Sequence, residues 1–132
     1  INQLLNNQNV TIYGDGNQRR SFTYIDDIVR GLLKLIEHEG SGTFNFGSNE
    51  TWSLNEVIEI IEKNTGKKAD ILFENRAYRD VDIVLPNLEK SNKILNWKPK
   101  TNIKDGIMNT VNWYLANQEK LKDIKFKYDH EK

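Results

Sequence analysis

Between Val10 and Ile36 the hydrophobic period of the chain changes from two to that of a helix, and this passage restricts the fold more than any other. Val10, Thr11, Ile12 and Tyr13 form a short β-branched and aromatic run, which suits a strand. Gly14, Asp15, Gly16 and Asn17 follow, a composition that favours a tight turn with positive φ. Polar and apolar residues then alternate from Arg20 to Tyr24, predicting an extended segment. Beyond Asp26 and Asp27, apolar Ile28, Val29, Leu32, Leu33 and Ile36 recur at helical spacing, with Gly40 past the end. A strand, a turn, an extended segment and an amphipathic helix in that order exclude an all-α or all-β chain.

The same mixture continues downstream. Ile1, Leu4 and Leu5 read as the tail of a helix, and Thr43 to Phe46 alternates as a second short strand. Ser53 with Glu56 three positions later makes a capping-box signature. Leu54, Val57, Ile58 and Ile61 form the stripe of the helix it opens, and Gly66 stands where such a helix stops. Ala69 to Phe73 predicts a strand. Glu74 to Asn87 is charged and without helical period, a loop with an extended piece at Ile83 to Leu85. Leu88 to Leu95 suits a short helix ending before Trp97 and Pro99, and Ile103, Ile107, Val111, Tyr114 and Leu115 mark the last one. The expectation is a single mixed α+β (α/β) unit with short strands and about four to five helices, followed from residue 118 by a charged tail expected to fray.

Composition removes several function classes. Acidic and basic side chains balance at 19 each, so no net field marks the whole surface for nucleic acid or an anionic membrane. Cysteine is absent, which excludes disulfides, cysteine-based zinc sites and thiol catalysis. No apolar run is long enough to span a bilayer, so the expected setting is cytoplasmic, with neither nucleic acid nor membrane as a partner and no metal. The chain opens on Ile1 and holds one methionine, Met108, from which a segment upstream is expected.

The residue that points to chemistry is Arg20. On an extended segment it shares a side with Phe22 and Tyr24, the face expected to turn inward. A guanidinium drawn inward needs an anion or a carboxylate. An internal ion pair satisfies that need, and so does a phosphate, which a planar guanidinium engages through two parallel hydrogen bonds. Asp26 and Asp27 stand just before a helical stripe and are assigned to capping and dipole complementation. His38 and His130 have no partners suited to acid–base work, and Trp52, Trp97 and Trp113 are assigned to packing.

The run Tyr13-Gly14-Asp15-Gly16-Asn17-Gln18-Arg19-Arg20-Ser21-Phe22-Thr23-Tyr24-Ile25-Asp26-Asp27 resembles a signature in the C-terminal part of extended short-chain dehydrogenases, the NAD-dependent nucleotide-sugar epimerases and dehydratases. Phe44-Asn45-Phe46-Gly47, the loop from Arg76 to Asp80, Lys90, and Leu95-Asn96-Trp97-Lys98-Pro99 follow in that family's order, and the resemblance runs from Ile1 to about Asn117. It implies a substrate-binding subdomain over residues 1–117 without the Rossmann half. It also implies a nucleoside-diphosphate sugar as ligand, with Arg20 on the diphosphate and a second arginine, Arg76 or Arg79, helping to hold the nucleotide. Asn87 stands where the family commonly has aspartate, which keeps a capping role and loses the charge.

The resemblance further implies NAD as cofactor of the parent protein, bound by a glycine-rich loop, and a catalytic tyrosine with a lysine four positions on. The chain has no GxxGxxG pattern, and Tyr13, Tyr24, Tyr78 and Tyr114 are not followed by lysine at that spacing. The Gly14–Gly16 turn leads into an extended segment rather than a helix N-terminus, so it is no dinucleotide loop. The expectation is a binding fragment that holds no catalytic or cofactor residues itself, from an isomerase or lyase that is homodimeric as a whole. The competing reading is a non-enzymatic relative of the fold that binds a regulatory partner or nucleic acid.

Overall fold

The computed structural model describes residues 1–75 and 80–121. Its elements are α1 (Asn2–Leu5), β1 (Val10–Tyr13), β2 (Arg19–Arg20), α2 (Ile25–Ile36), β3 (Trp52–Ser53), α3 (Leu54–Thr65), β4 (Ile71–Glu74), β5 (Ile83–Val84), α4 (Glu89–Leu95), α5 (Ile103–Ala116) and α6 (Gln118–Leu121). The class is the expected α+β, with six helices among the described residues. β1 pairs in parallel with β4, Val10 opposite Ile71 and Tyr13 opposite Glu74. β2 lies between β3, antiparallel, and β5, parallel.

The first core lies where α3 and α5 meet. Leu4, Ile60, Ile61, Ile107 and Val111 are buried there, with Ile1, Val10, Trp52, Val57, Ala69 and Ile103 packed around them. α3 forms where its local signals place it. The Ser53 hydroxyl accepts from Glu56 N–H at 3.1 Å, Glu56 Oε2 accepts from Ser53 N–H at 2.7 Å, and Gly66 closes the helix in the left-handed region at φ 67°. Those bonds, above all the backbone one from Ser53, hold the Glu56 carboxyl below its ordinary pKa.

A second core joins α2 to α4. Trp97 is 2 % exposed and meets the Phe46 ring edge-on at 4.8 Å between centroids. Gly31 makes room for both, because a Cβ there would stand 2.7 Å from the Phe46 ring and 3.0 Å from Trp97 Nε1. Leu95 and Ser91 are buried beside them, and the Ser91 hydroxyl donates to Asn45 O.

Asp27 corrects the reading that made it a cap. The N-cap of α2 is Tyr24, which makes no side-chain cap bond, while Asp27 is wholly buried. Its Oδ2 accepts from Lys100 N–H at 3.1 Å and Thr101 N–H at 2.9 Å, its Oδ1 pairs with Arg30, and its carbonyl accepts from Trp97 Nε1 at 2.9 Å. It fastens the start of α2 to the segment after α4.

Other expectations also change. Thr43 to Phe46 is not a strand: Asn45 O is taken by Ser91 and Asn45 Nδ2 donates to Asn87 O at 3.1 Å. β2 stops at Arg20 rather than continuing to Tyr24. Trp113 is 54 % exposed, its ring against Tyr114 instead of in a core. Much of the α2 stripe is also open, with Ile36 80 % exposed. α6 adds a helical turn at the start of the segment expected to fray.

The turn after β1 is fixed by α3. Gly14 and Gly16 have φ of 89° and 78°, and Asn55 donates to Asp15 O at 3.1 Å and to Asn17 Oδ1 at 3.2 Å. A Cβ at Gly16 would overlap the Asn55 amide. Gly16→Ala is therefore expected to destabilise the fold by about 2 kcal/mol, from positive φ plus lost turn contacts. Urea unfolding of the variant checks this.

Candidate functional site

β2 consists of two arginines, and they serve different ends. Arg19 turns to α3: Nη1 pairs with Glu56 Oε2 at 3.0 Å, Nη2 donates to Thr51 O at 2.6 Å and Nε to Thr51 Oγ1 at 3.2 Å. It braces the approach to the capping box. Arg20 turns elsewhere. Its Nη2 pairs with Asp80 Oδ2 at 2.5 Å and its Nη1 donates to Arg19 O at 2.8 Å, with both charged side chains 26 % exposed. The need for an anion, legible in the sequence, is met in this structure by a carboxylate.

The surroundings of Arg20 are backbone-ordered. Arg19 lies opposite Ser53 and Ile83, and Arg20 opposite Trp52 and Val84, while Arg19 N–H donates to Asp82 O at 2.7 Å. Just after the strand, Ser21 Oγ donates to Ser48 O at 2.7 Å and accepts from Ser48 N–H at 2.9 Å, tying the segment after Arg20 to the loop beyond Phe46. Phe22 and Tyr24 are half-buried. The guanidinium is thus set on a short central strand, partly open to solvent, and can present its remaining N–H groups to an anion.

Arg76 and Arg79 lie outside the described residues, so the structure brings neither of them to Arg20 nor away from it. Asp80, which ends the loop that carries those two arginines in sequence, pairs with Arg20, 60 positions away; no local signal could have found that partner. The N-cap of α4 is Leu88, which makes no side-chain cap bond; Asn87, expected to cap, lies one residue earlier and its Oδ1 accepts from Glu89 N–H at 2.9 Å. His38 packs edge-on against Phe44 at 5.7 Å between centroids. Tyr128, four positions before Lys132, has the tyrosine–lysine spacing that Tyr13, Tyr24, Tyr78 and Tyr114 lack; both residues lie outside the described ones.

Among the described residues no cluster of His, Asp and Glu suits a metal ion, and no helix is long and apolar enough to cross a membrane. A cleft of about 350 Å³ between the 85–88 segment and the 97–99 loop contains neither Arg20 nor Asp80. Its walls include Leu85, Pro86, Trp97 and Pro99. The glycine turn at Gly14–Gly16 opens onto β2 and is closed by Asn55, which is not the strand–loop–helix geometry of a dinucleotide-binding turn.

The sequence profile of the GDP-mannose 4,6 dehydratase family matches residues 1–110. A UDP-glucuronate 4-epimerase of Thermodesulfobacterium geofontis is 41 % identical over 117 residues, 88 % of this chain and 36 % of the relative. UDP-glucuronic acid decarboxylase 2 of Arabidopsis thaliana is 32 % identical over 81 % of this chain and 24 % of its own length. Among solved structures, the UDP-glucuronic acid 4-epimerase of Bacillus cereus, in complex with UDP-glucuronic acid and NAD, superposes with a TM-score of 0.80 at 29 % identity. That match covers 86 % of this chain and 37 % of the epimerase. The chain thus spans between about a quarter and somewhat more than a third of the length of these relatives. On the profile match, the relatives and the shared fold, the chain belongs to the nucleotide-sugar epimerase/dehydratase family of extended short-chain dehydrogenases and corresponds to the C-terminal part of its members.

Proposed function

We propose that this chain is the nucleoside-diphosphate-sugar-binding portion of an NAD-dependent epimerase, dehydratase or decarboxylase, with Arg20 as its diphosphate contact. The observation that carries the reading is the placement of Arg20: a guanidinium on a central strand, a quarter exposed and already paired with an anion. Relatives described as acting on UDP-glucuronate, and a similar structure holding UDP-glucuronic acid and NAD, support the ligand class. Arg76 or Arg79 serves as the second arginine. NAD, which would transiently oxidise the sugar, is bound by the larger part that the relatives carry beyond the matched region. Isomerase or lyase chemistry, a homodimeric parent and a cytoplasmic setting belong to the same reading.

On this reading the residues of the chain do not make or break bonds. Charge at Arg20 holds the diphosphate, and a held diphosphate fixes where the sugar lies relative to the cofactor. Titration calorimetry with UDP-glucuronate tests it. Arg20→Ala is expected to weaken binding about tenfold or more, the loss of charged hydrogen bonds to phosphate. Binding by the wild type should weaken with salt, and salt-insensitive binding that survives unchanged in Arg20→Ala contradicts the assignment.

A further inference from the structure

We infer that Asp80 is a positioning residue for nucleotide binding, acting through Arg20 rather than on the ligand; this rests on the diphosphate reading above. Asp80 is fixed by more than its ion pair. Its Oδ1 accepts from Val81 N–H at 2.8 Å while Oδ2 takes Arg20 Nη2 at 2.5 Å, so one oxygen anchors the carboxylate to the backbone and the other faces the guanidinium. The backbone that follows runs beside β2, with Arg19 N–H on Asp82 O at 2.7 Å and Arg20 opposite Val84. Strand pairing therefore sets where Asp80 stands relative to Arg20, and the carboxylate sets where the guanidinium lies.

Arg20 meets a second acceptor, Arg19 O at 2.8 Å, and two acceptors on different nitrogens hold the plane of the group. An arginine has five N–H donors in a rigid fork, so this hold leaves others for a phosphate. An arginine that is already oriented loses less rotamer freedom when the anion arrives.

The test is a double-mutant cycle read as UDP affinity by NMR titration, on the wild type, Asp80→Asn, Arg20→Ala and the double variant, with circular dichroism melts confirming that each is folded. Asp80→Asn is expected to weaken UDP binding by about three- to tenfold, the scale of one immobilised side chain, and to add no loss in the Arg20→Ala background. Asp80→Glu, which keeps the charge, should recover part of the affinity. A loss that persists undiminished beside Arg20→Ala overturns the proposal, because Asp80 then acts by a route other than Arg20; so does an Asp80→Asn variant that binds UDP as tightly as the wild type or tighter. A wild type that does not bind UDP, or an Arg20→Ala variant that binds it normally, overturns the diphosphate reading together with this one.

Discussion

Asp27→Ala should destabilise the fold by about 3 kcal/mol, and its unfolding midpoint in urea should fall accordingly. The figure follows from what the carboxylate holds. Removing one partner of a buried ion pair costs about 3–5 kcal/mol where the remaining charge stays buried, but the Arg30 side chain is 37 % exposed and can turn to water. The loss that remains is in the N–H groups of Lys100 and Thr101, which would lack their acceptor, together with the gap left beside Trp97. The lower end of the range applies.

The same group gives the fold an acid limit. Burial is the largest single influence on Asp27 and pushes its carboxyl pKa up, but hydrogen bonds from Thr101, Arg30 and Lys100 together outweigh it and hold the group below its ordinary value of 3.8. A carboxyl whose pKa is lower folded than unfolded stabilises the fold fully above the unfolded value. That contribution is lost as pH falls below about 4 toward the folded value. Asp27→Asn keeps one oxygen acceptor and cannot ionise. It should lose less stability at pH 7 than Asp27→Ala, and its urea midpoint should vary less between pH 5 and pH 3, about where aspartate titrates.

Trp97→Ala should cost about 3–5 kcal/mol, the range for deleting a large buried aromatic. The ring is 2 % exposed, lies 4.8 Å from Phe46 between centroids, and its Nε1 is the donor to Asp27 O at 2.9 Å. Gly31 brings α2 close to that ring, so little can move in to fill the space. Trp97→Phe keeps most of the apolar volume and loses the Nε1 bond to the Asp27 carbonyl, which lies within α2, at about 1 kcal/mol. Trp97 Nε1 bonds the backbone carbonyl of residue 27, which Asp27→Ala keeps, but the Asp27 carboxylate holds Lys100 and Thr101 just beyond Trp97, so the two changes loosen one segment and the double alanine variant should lose less than the two singles summed. Chemical denaturation of the three variants measures both the size and the coupling.

The sequence was most informative where the signals are local. α3 could be read from start to stop because Ser53, Glu56 and Gly66 act within one turn of the residues they satisfy. The turn at Gly14–Gly16 was legible because positive φ is a property of single residues. Where a partner is distant, the pattern gave only half of the answer. Thr43 to Phe46 alternates, but alternation does not show whether another strand is present, and here Ser91 and Asn87 take the polar groups of Asn45 instead. Asp27 sits where a cap is common, yet its partners at Trp97, Lys100 and Thr101 are 70 or more positions away.

The candidate site divides in the same way. That Arg20 needs an anion follows from a charge on an extended segment among aromatic residues, and the structure supplies one. Which carboxylate fills that place did not follow, since the β2–β5 pairing that brings Asp80 there joins a two-residue strand to another of two residues. Trp113 shows the reverse error: its size suggested a core, but it lies beyond the buried face of α5, which Ile107 and Val111 occupy.

The most direct test of the diphosphate assignment is a crystal structure with UDP-glucuronate bound. The account predicts a diphosphate oxygen about 3 Å from the Arg20 guanidinium, a charge-assisted hydrogen bond. A complex in which the diphosphate lies elsewhere, with Arg20 meeting only Asp80 and Arg19 O, would contradict it.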